Sequence, residues 1–145
     1  MIKKTMTYVD FDGNERKEDI YFALTEAELY ELQLSRNGGL ENYLTKISQS
    51  QDTKEIWDLF SSIVLKSYGE KSLDGKYFQK KRDGHMLAED FEQTQMFSDM
   101  IVEFMQDASS FAMFLKGVLP KKLSDQINEK DLLAAINGPK EESEE

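Results

Sequence analysis

The stretch Phe91-Glu92-Gln93-Thr94-Gln95-Met96-Phe97-Ser98-Asp99-Met100-Ile101-Val102-Glu103-Phe104-Met105 decides how this chain reads. Met96, Met100 and Phe104 recur at i, i+4 and i+8, and Phe97, Ile101 and Met105 form an adjacent stripe, which is helical spacing. A second apolar run follows in Phe111, Met113, Phe114 and Leu115. Asp107 stands between the two as an N-cap, so the segment from Ala88 to Gly117 divides there into two helices. Pro120 marks the next restart.

Upstream, the densest apolar helix of the first half carries Ile56, Trp57, Leu59, Phe60, Ile63 and Val64 behind an Asp52/Glu55 capping box, and Tyr68-Gly69 stops it. Trp57 and Phe60 read as core residues. Before it, Leu40, Tyr43, Leu44 and Ile47 have the spacing of one buried helix face. Thr25 with Glu28 is another capping box, opening a helix to about Arg36 with Leu29, Leu32 and Leu34 on its apolar side and Asn37-Gly38-Gly39 at its end.

The beginning has a different period. Thr5, Thr7, Tyr8, Val9 and Phe11 are strand formers, Asp12-Gly13-Asn14 is a turn, and Ile20, Tyr21 and Phe22 form a return strand. The asymmetry of the turn favours a loop of three or more residues. Residues 70–87 hold Lys71, Lys76, Lys80, Lys81 and Arg82 against few acids and read as a basic loop or a short second hairpin around Asp74-Gly75. Beyond Pro120, Asn128 with Asp131 caps a short helix carrying Leu132, Leu133 and Ile136, and Gly138-Pro139 ends it.

These readings give a mainly α fold: a single helical domain with an N-terminal β-hairpin, α+β by strict count, and a disordered acidic C-terminal tail. The domain spans 1–139, with a hairpin over 1–24, helices over 25–68, the basic segment 70–87, helices over 88–137, and the tail 140–145.

The chain of 145 residues suffices for one core. Without cysteine it has no disulfide, thiolate metal site or cysteine nucleophile, in keeping with a cytoplasmic setting. No apolar run approaches the roughly 20 residues of a membrane span, and the start, Met1-Ile2-Lys3-Lys4, leads into no apolar signal core. A net charge of −10 argues against nucleic-acid binding, which needs a basic face. Without residues 140–145 the body keeps 24 acids against 17 bases. That charge serves solubility, and it also suits a chain that carries an aggregation-prone client.

Enzyme readings lack parts. His85 is the sole histidine, beside Gly84 in the basic segment, so no metal or nucleophile set assembles around it. Asp10-x-Asp12-x-Asn14 opens like a calcium loop, but Glu15 stands where glycine is required and Tyr21 where the closing glutamate belongs. Gly38-Gly39 lacks the lysine and spacing of a phosphate loop. The carboxylates lie on helix faces with lysines nearby, which describes a solvated surface better than acid–base work. What survives is the methionine and phenylalanine content of 91–115. One reading puts both stripes in the core. The other leaves Met96, Met100 and Phe104, with Phe97 and Phe111, partly open as a methionine-rich groove that adapts to varied apolar helices.

Lys66-Ser67-Tyr68-Gly69, the Asp74-Gly75 turn, Phe91 to Thr94 and the run from Phe111 to Pro120 carry a family likeness over residues 56–123. In that order the chain resembles the tail assembly chaperones of long-tailed bacteriophages. The resemblance implies a mainly helical, non-enzymatic protein of the host cytoplasm, with no cofactor, that binds the tape-measure protein and keeps it soluble. It also implies recruitment of major tail (tube) subunits and absence from the mature virion. Many members are made in two lengths by a ribosomal frameshift, and Gly138-Pro139-Lys140 can be encoded by a slippery heptamer, so a frameshifted long form of the chain is a further implied partner. The rival expectations are a tail-completion or head–tail joining protein retained in the virion, and a small regulatory or anti-host binding protein.

Overall fold

The computed structural model describes residues 1–34 and 53–121. β1 (Ile2–Val9) and β2 (Glu15–Phe22) pair antiparallel in unbroken register, from Ile2 opposite Phe22 to Val9 opposite Glu15. Alternation puts Ile2, Met6, Ile20 and Phe22 toward the core and Lys3, Thr5 and Thr7 outward. Asp10 organises the connection over residues 10–14: its Oδ1 accepts the backbone N–H groups of Asp12 and Asn14 at 3.0 and 2.9 Å. Phe11, read as a strand former, sits in this loop with 80% of its surface exposed.

α1 (Glu26–Leu34) opens on the expected capping box. The Thr25 N–H donates to Glu28 Oε1 at 2.9 Å and the Glu28 N–H donates to Thr25 Oγ1 at 3.1 Å, so two orphan donors of the first turn are satisfied reciprocally. Leu29 is buried as its spacing predicts. The readings of Leu32 and Leu34 as apolar contacts, of Leu40 to Ile47, of the Asp52 cap and of everything after Lys121 lie outside the described residues and side chains.

α2 (Thr53–Ser67) buries Leu59, Phe60, Ile63, Val64 and Ser67. Trp57 is the exception to the core reading, at 39% exposure. It shares a side with Phe60 and Val64 but lies nearer the helix start, and full burial along α2 begins only at Leu59. At Tyr68 the helix gives way directly to β3 (Tyr68–Lys71), which pairs with β2 through Tyr21 opposite Gly69 and Phe22 opposite Tyr68. The basic segment therefore resolves into hairpins. β3 pairs with β4 (Phe78–Gln79), completing an antiparallel sheet of order β1-β2-β3-β4, and β5 (Lys81–Arg82) pairs with β6 (His85–Met86).

The second half holds α3 (Leu87–Glu92), α4 (Gln95–Gln106) and α5 (Ala108–Val118). Asp107 caps α5 as expected: its carboxylate accepts the Ser109 N–H at 3.1 Å and the Ser109 and Ser110 hydroxyls. Those donors hold its carboxyl below the usual range. A second break was not expected. Thr94 ends α3 and starts α4, its Oγ1 accepting the Phe97 N–H at 3.3 Å while its hydroxyl donates to Phe91 O at 2.7 Å. Helices take 51% of the described residues, so the fold is mainly helical with an N-terminal hairpin extended into a small sheet.

One aromatic chain unites these elements. Tyr68 stacks on Phe91 at 4.2 Å, and Phe22 meets Phe91 and Phe114 edge-on at 5.8 and 5.1 Å. Phe114 leads to Phe104 at 5.2 Å, Phe104 to Phe111 at 5.5 Å, and Phe111 stacks on Phe60 at 4.0 Å. Each contact adds about 0.5–1.5 kcal/mol beyond the area it buries.

Gly69 sits where no side chain fits. A Cβ there would lie 2.5 Å from Phe78 Cε2 and 2.6 Å from the backbone oxygen of Gln79, so β4 must move. Gly69→Ala is expected to lower stability by about 1–3 kcal/mol by overpacking, read as a lower urea midpoint. An unchanged midpoint would show that β4 is not held against β3.

Candidate functional site

The five residues singled out for an apolar groove are placed as follows. Met100 and Phe111 are fully buried, Phe104 and Met96 nearly so, and Phe97 partly. Their stripes were legible, but both are covered: α4 packs against β1, α2, α3 and α5 at once. Phe104 touches Phe60, Phe111 and Phe114, and Phe97 reaches Phe91 edge-on at 5.9 Å. The open-groove reading of these residues therefore gives way to the core reading in this conformation. They form the scaffold.

Accessible apolar surface lies elsewhere. Val9 and Phe11 stand at the hairpin tip, Tyr30 on α1, Trp57 near the start of α2, Val102 on the outer side of α4 and Met113 on α5. Leu73 and Tyr77 stand on the connection between β3 and β4, Leu73 fully exposed. In sequence the only signal for this last pair was the Asp74-Gly75 turn between them.

The basic segment is less free than its composition suggests. The Lys80 ammonium turns inward, donating to the backbone oxygens of Ala23 at 3.0 Å and Lys66 at 2.5 Å and pairing with Glu28 Oε2 at 3.1 Å. Burial pushes its pKa down, opposed by the hydrogen bond and charge of Glu28. Arg82 pairs with Glu70 at 2.6 Å. Lys71, Lys76 and Lys81 are exposed, with the Lys71 ammonium donating to Ser72 O at 2.9 Å and Lys76 Nζ lying 5.4 Å from the Tyr77 ring. A polar cluster lies on the distal hairpin, where the Tyr8 hydroxyl donates to Glu18 and Arg16 Nε lies 3.4 Å from Asp10.

His85 pairs with Asp90 across 2.9 Å, and the carboxylate's hydrogen bond and charge raise its pKa above the ordinary histidine value. The pair therefore favours the folded state while the imidazole is charged, and that contribution fades as pH rises through the raised value. It is an exposed ion pair joining β6 to α3. Among the described residues no group of three or more His, Asp or Glu is placed to hold a metal ion, and no helix is long and apolar enough to cross a membrane.

Taken together, the accessible surface consists of separate apolar side chains and charges over a core of buried aromatics. The family profile described as phage tail assembly chaperone matches residues 1–145, the whole chain, and the chain belongs to that family. No curated protein and no solved structure gives a significant match.

Proposed function

We propose that this chain binds the tape-measure protein of a long-tailed phage in the host cytoplasm, keeps it soluble, and helps recruit tail-tube subunits around it. The observation that carries the reading is family membership over the full length. Two properties support it. A net charge of −10 keeps a chain with an insoluble client dispersed. Large apolar side chains are exposed on several separate elements, which suits a long client with many weak contacts. The action is contact rather than catalysis: apolar helix surface of the client is masked reversibly and released as tube subunits polymerise. A frameshifted long form, if the codons at Gly138-Pro139-Lys140 slide, shares this chain up to that point and carries an extension in place of the acidic ending.

Release sets this reading apart from a tail-completion or head–tail joining protein. Quantitative mass spectrometry of phage-producing lysates and of purified virions is expected to find the chain abundant in the former and missing from the latter. A constant copy number per virion would assign it to the structural class instead.

A further inference from the structure

β1 stands at the end of the sheet, paired with β2 on one side and, among the described residues, with no strand on the other. The hairpin fixes which backbone groups that leaves open. Asp10 and Asn14 lie opposite each other, and the Asp10 N–H donates to Asn14 O at 2.9 Å. Antiparallel ladders alternate bonded and non-bonded pairs, so the bonded pairs further along are Tyr8–Arg16, Met6–Glu18, Lys4–Ile20 and Ile2–Phe22. The N–H and C=O groups of Lys3, Thr5, Thr7 and Val9 therefore point away from β2, toward the free edge.

This edge has few of the usual defences. It is 8 residues long, keeps an unbroken register without a bulge, contains no proline, and is charged only at one end, by Lys3 and Lys4. The remainder, Thr5-Met6-Thr7-Tyr8-Val9, is uncharged and rich in strand formers, with Thr5, Thr7 and Val9 exposed. Such an edge is a template for one more strand.

We propose that two copies of this chain pair antiparallel through β1, about a two-fold axis at Met6, joining their sheets into one. The contact is self-complementary, since each edge supplies the donors and acceptors that the other needs. Thr5 of one copy faces Thr7 of the other and Lys3 faces Val9, each pair exchanging both N–H···O=C bonds. Threonine pairs favour a ladder, and the Lys3 stem covers the apolar Val9. Lys4 faces the Tyr8 ring of the second copy. The lysines select this register. An axis at Lys4 sets Lys4 against itself, and one at Thr5 leaves the two Lys4 residues only about 7 Å apart along the strand, whereas the Met6 axis separates them by about 13 Å. An axis at Thr7 shortens the overlap to residues 5–9. Both bodies carry a net charge of −10, but that repulsion is screened over about 8 Å at physiological ionic strength, and the joining strands hold no carboxylate.

Sedimentation velocity of the full chain is expected to show a monomer–dimer equilibrium. Over the concentrations that populate the dimer, amide exchange at Thr5, Thr7 and Val9 should slow at least about tenfold, with Met6 and Tyr8, already bonded to β2, changing less. Thr7→Pro removes an outward N–H that the β1–β2 ladder does not use, so it should leave a folded monomer. The chain has no cysteine. Thr5→Cys and Thr7→Cys chains mixed under oxidising conditions should therefore give the mixed disulfide in at least about fivefold excess over either homodimer, because only the facing pair lies within bridging distance. A chain that stays monomeric at every concentration overturns the proposal, and so do outward amides whose exchange ignores concentration. A dimer that survives Thr7→Pro is built on another surface, and a dominant disulfide between two copies of the Thr5→Cys chain overturns the register. The exchange measurement uses the unmodified chain, so it decides the matter even where Thr7→Pro folds poorly. None of these measurements needs a phage partner, so their outcome is independent of the chaperone reading.

Discussion

Phe22→Ala is expected to cost about 3–5 kcal/mol, the range for removing a fully buried phenylalanine. Phe22 is 0% exposed and meets Tyr68, Phe91 and Phe114 edge-on at 5.7, 5.8 and 5.1 Å. It lies on β2 opposite Ile2 on one side and Tyr68 on the other, so it ties the sheet to α3 and α5 in one step. No neighbour can collapse into the hole without moving a strand, because the surrounding rings are held by their own partners. Domains of this size are typically stable by about 5–15 kcal/mol, so the loss removes a large share of the total. Thermal or urea melts should show it as a greatly lowered midpoint. Phe11→Ala, at the exposed hairpin tip, should stay within about 0.5 kcal/mol of the parent. Equal melts for the two variants would contradict the core described here.

Lys80→Ala is expected to cost about 3 kcal/mol through unpaired acceptors rather than lost packing. One ammonium serves three groups: Ala23 O before α1, Lys66 O at the end of α2, and Glu28 inside the α1 capping box. Lys66 O belongs to the last turn of α2, whose carbonyls lack helical partners. Burial of the lysine is itself unfavourable and pushes its pKa down. The cost of the variant is that Glu28 and two carbonyls lose their cation. Lys80→Met keeps the apolar stem and should lose nearly as much. Combining Lys80→Met with Glu28→Gln should cost less than the sum of the single changes, because the stranded carboxylate is gone. Strict additivity in that cycle would mean that Lys80 and Glu28 are not coupled.

The local signals were the legible ones. Thr25 and Glu28 sit three residues apart and cap each other, and Asp107 caps α5 through Ser109, so sequence spacing alone located both helix starts. The hairpin followed from the strand formers on either side of the Asp12-Gly13-Asn14 turn. What escaped depended on distant partners. β3 is too short for a period, and its pairing with β2 joins residues far apart in sequence. Thr94 carries no acidic residue at its third helical position, so its cap lacked the fuller signature. Lys80 looked like surface charge until the fold brought two backbone oxygens and a carboxylate to it. The same limit governs the candidate site. Periodicity finds the apolar faces of α4, but only the packing of α2, α5 and β1 around it decides that Met96, Met100 and Phe104 are inside.

The most direct measurement is co-expression of this chain with the phage's tape-measure protein, followed by affinity purification from the soluble fraction. The account predicts that the tape-measure protein, insoluble when expressed alone, becomes soluble and co-purifies with the chain. A tape-measure protein that stays insoluble beside this chain, and beside its frameshifted long form where one exists, would contradict it.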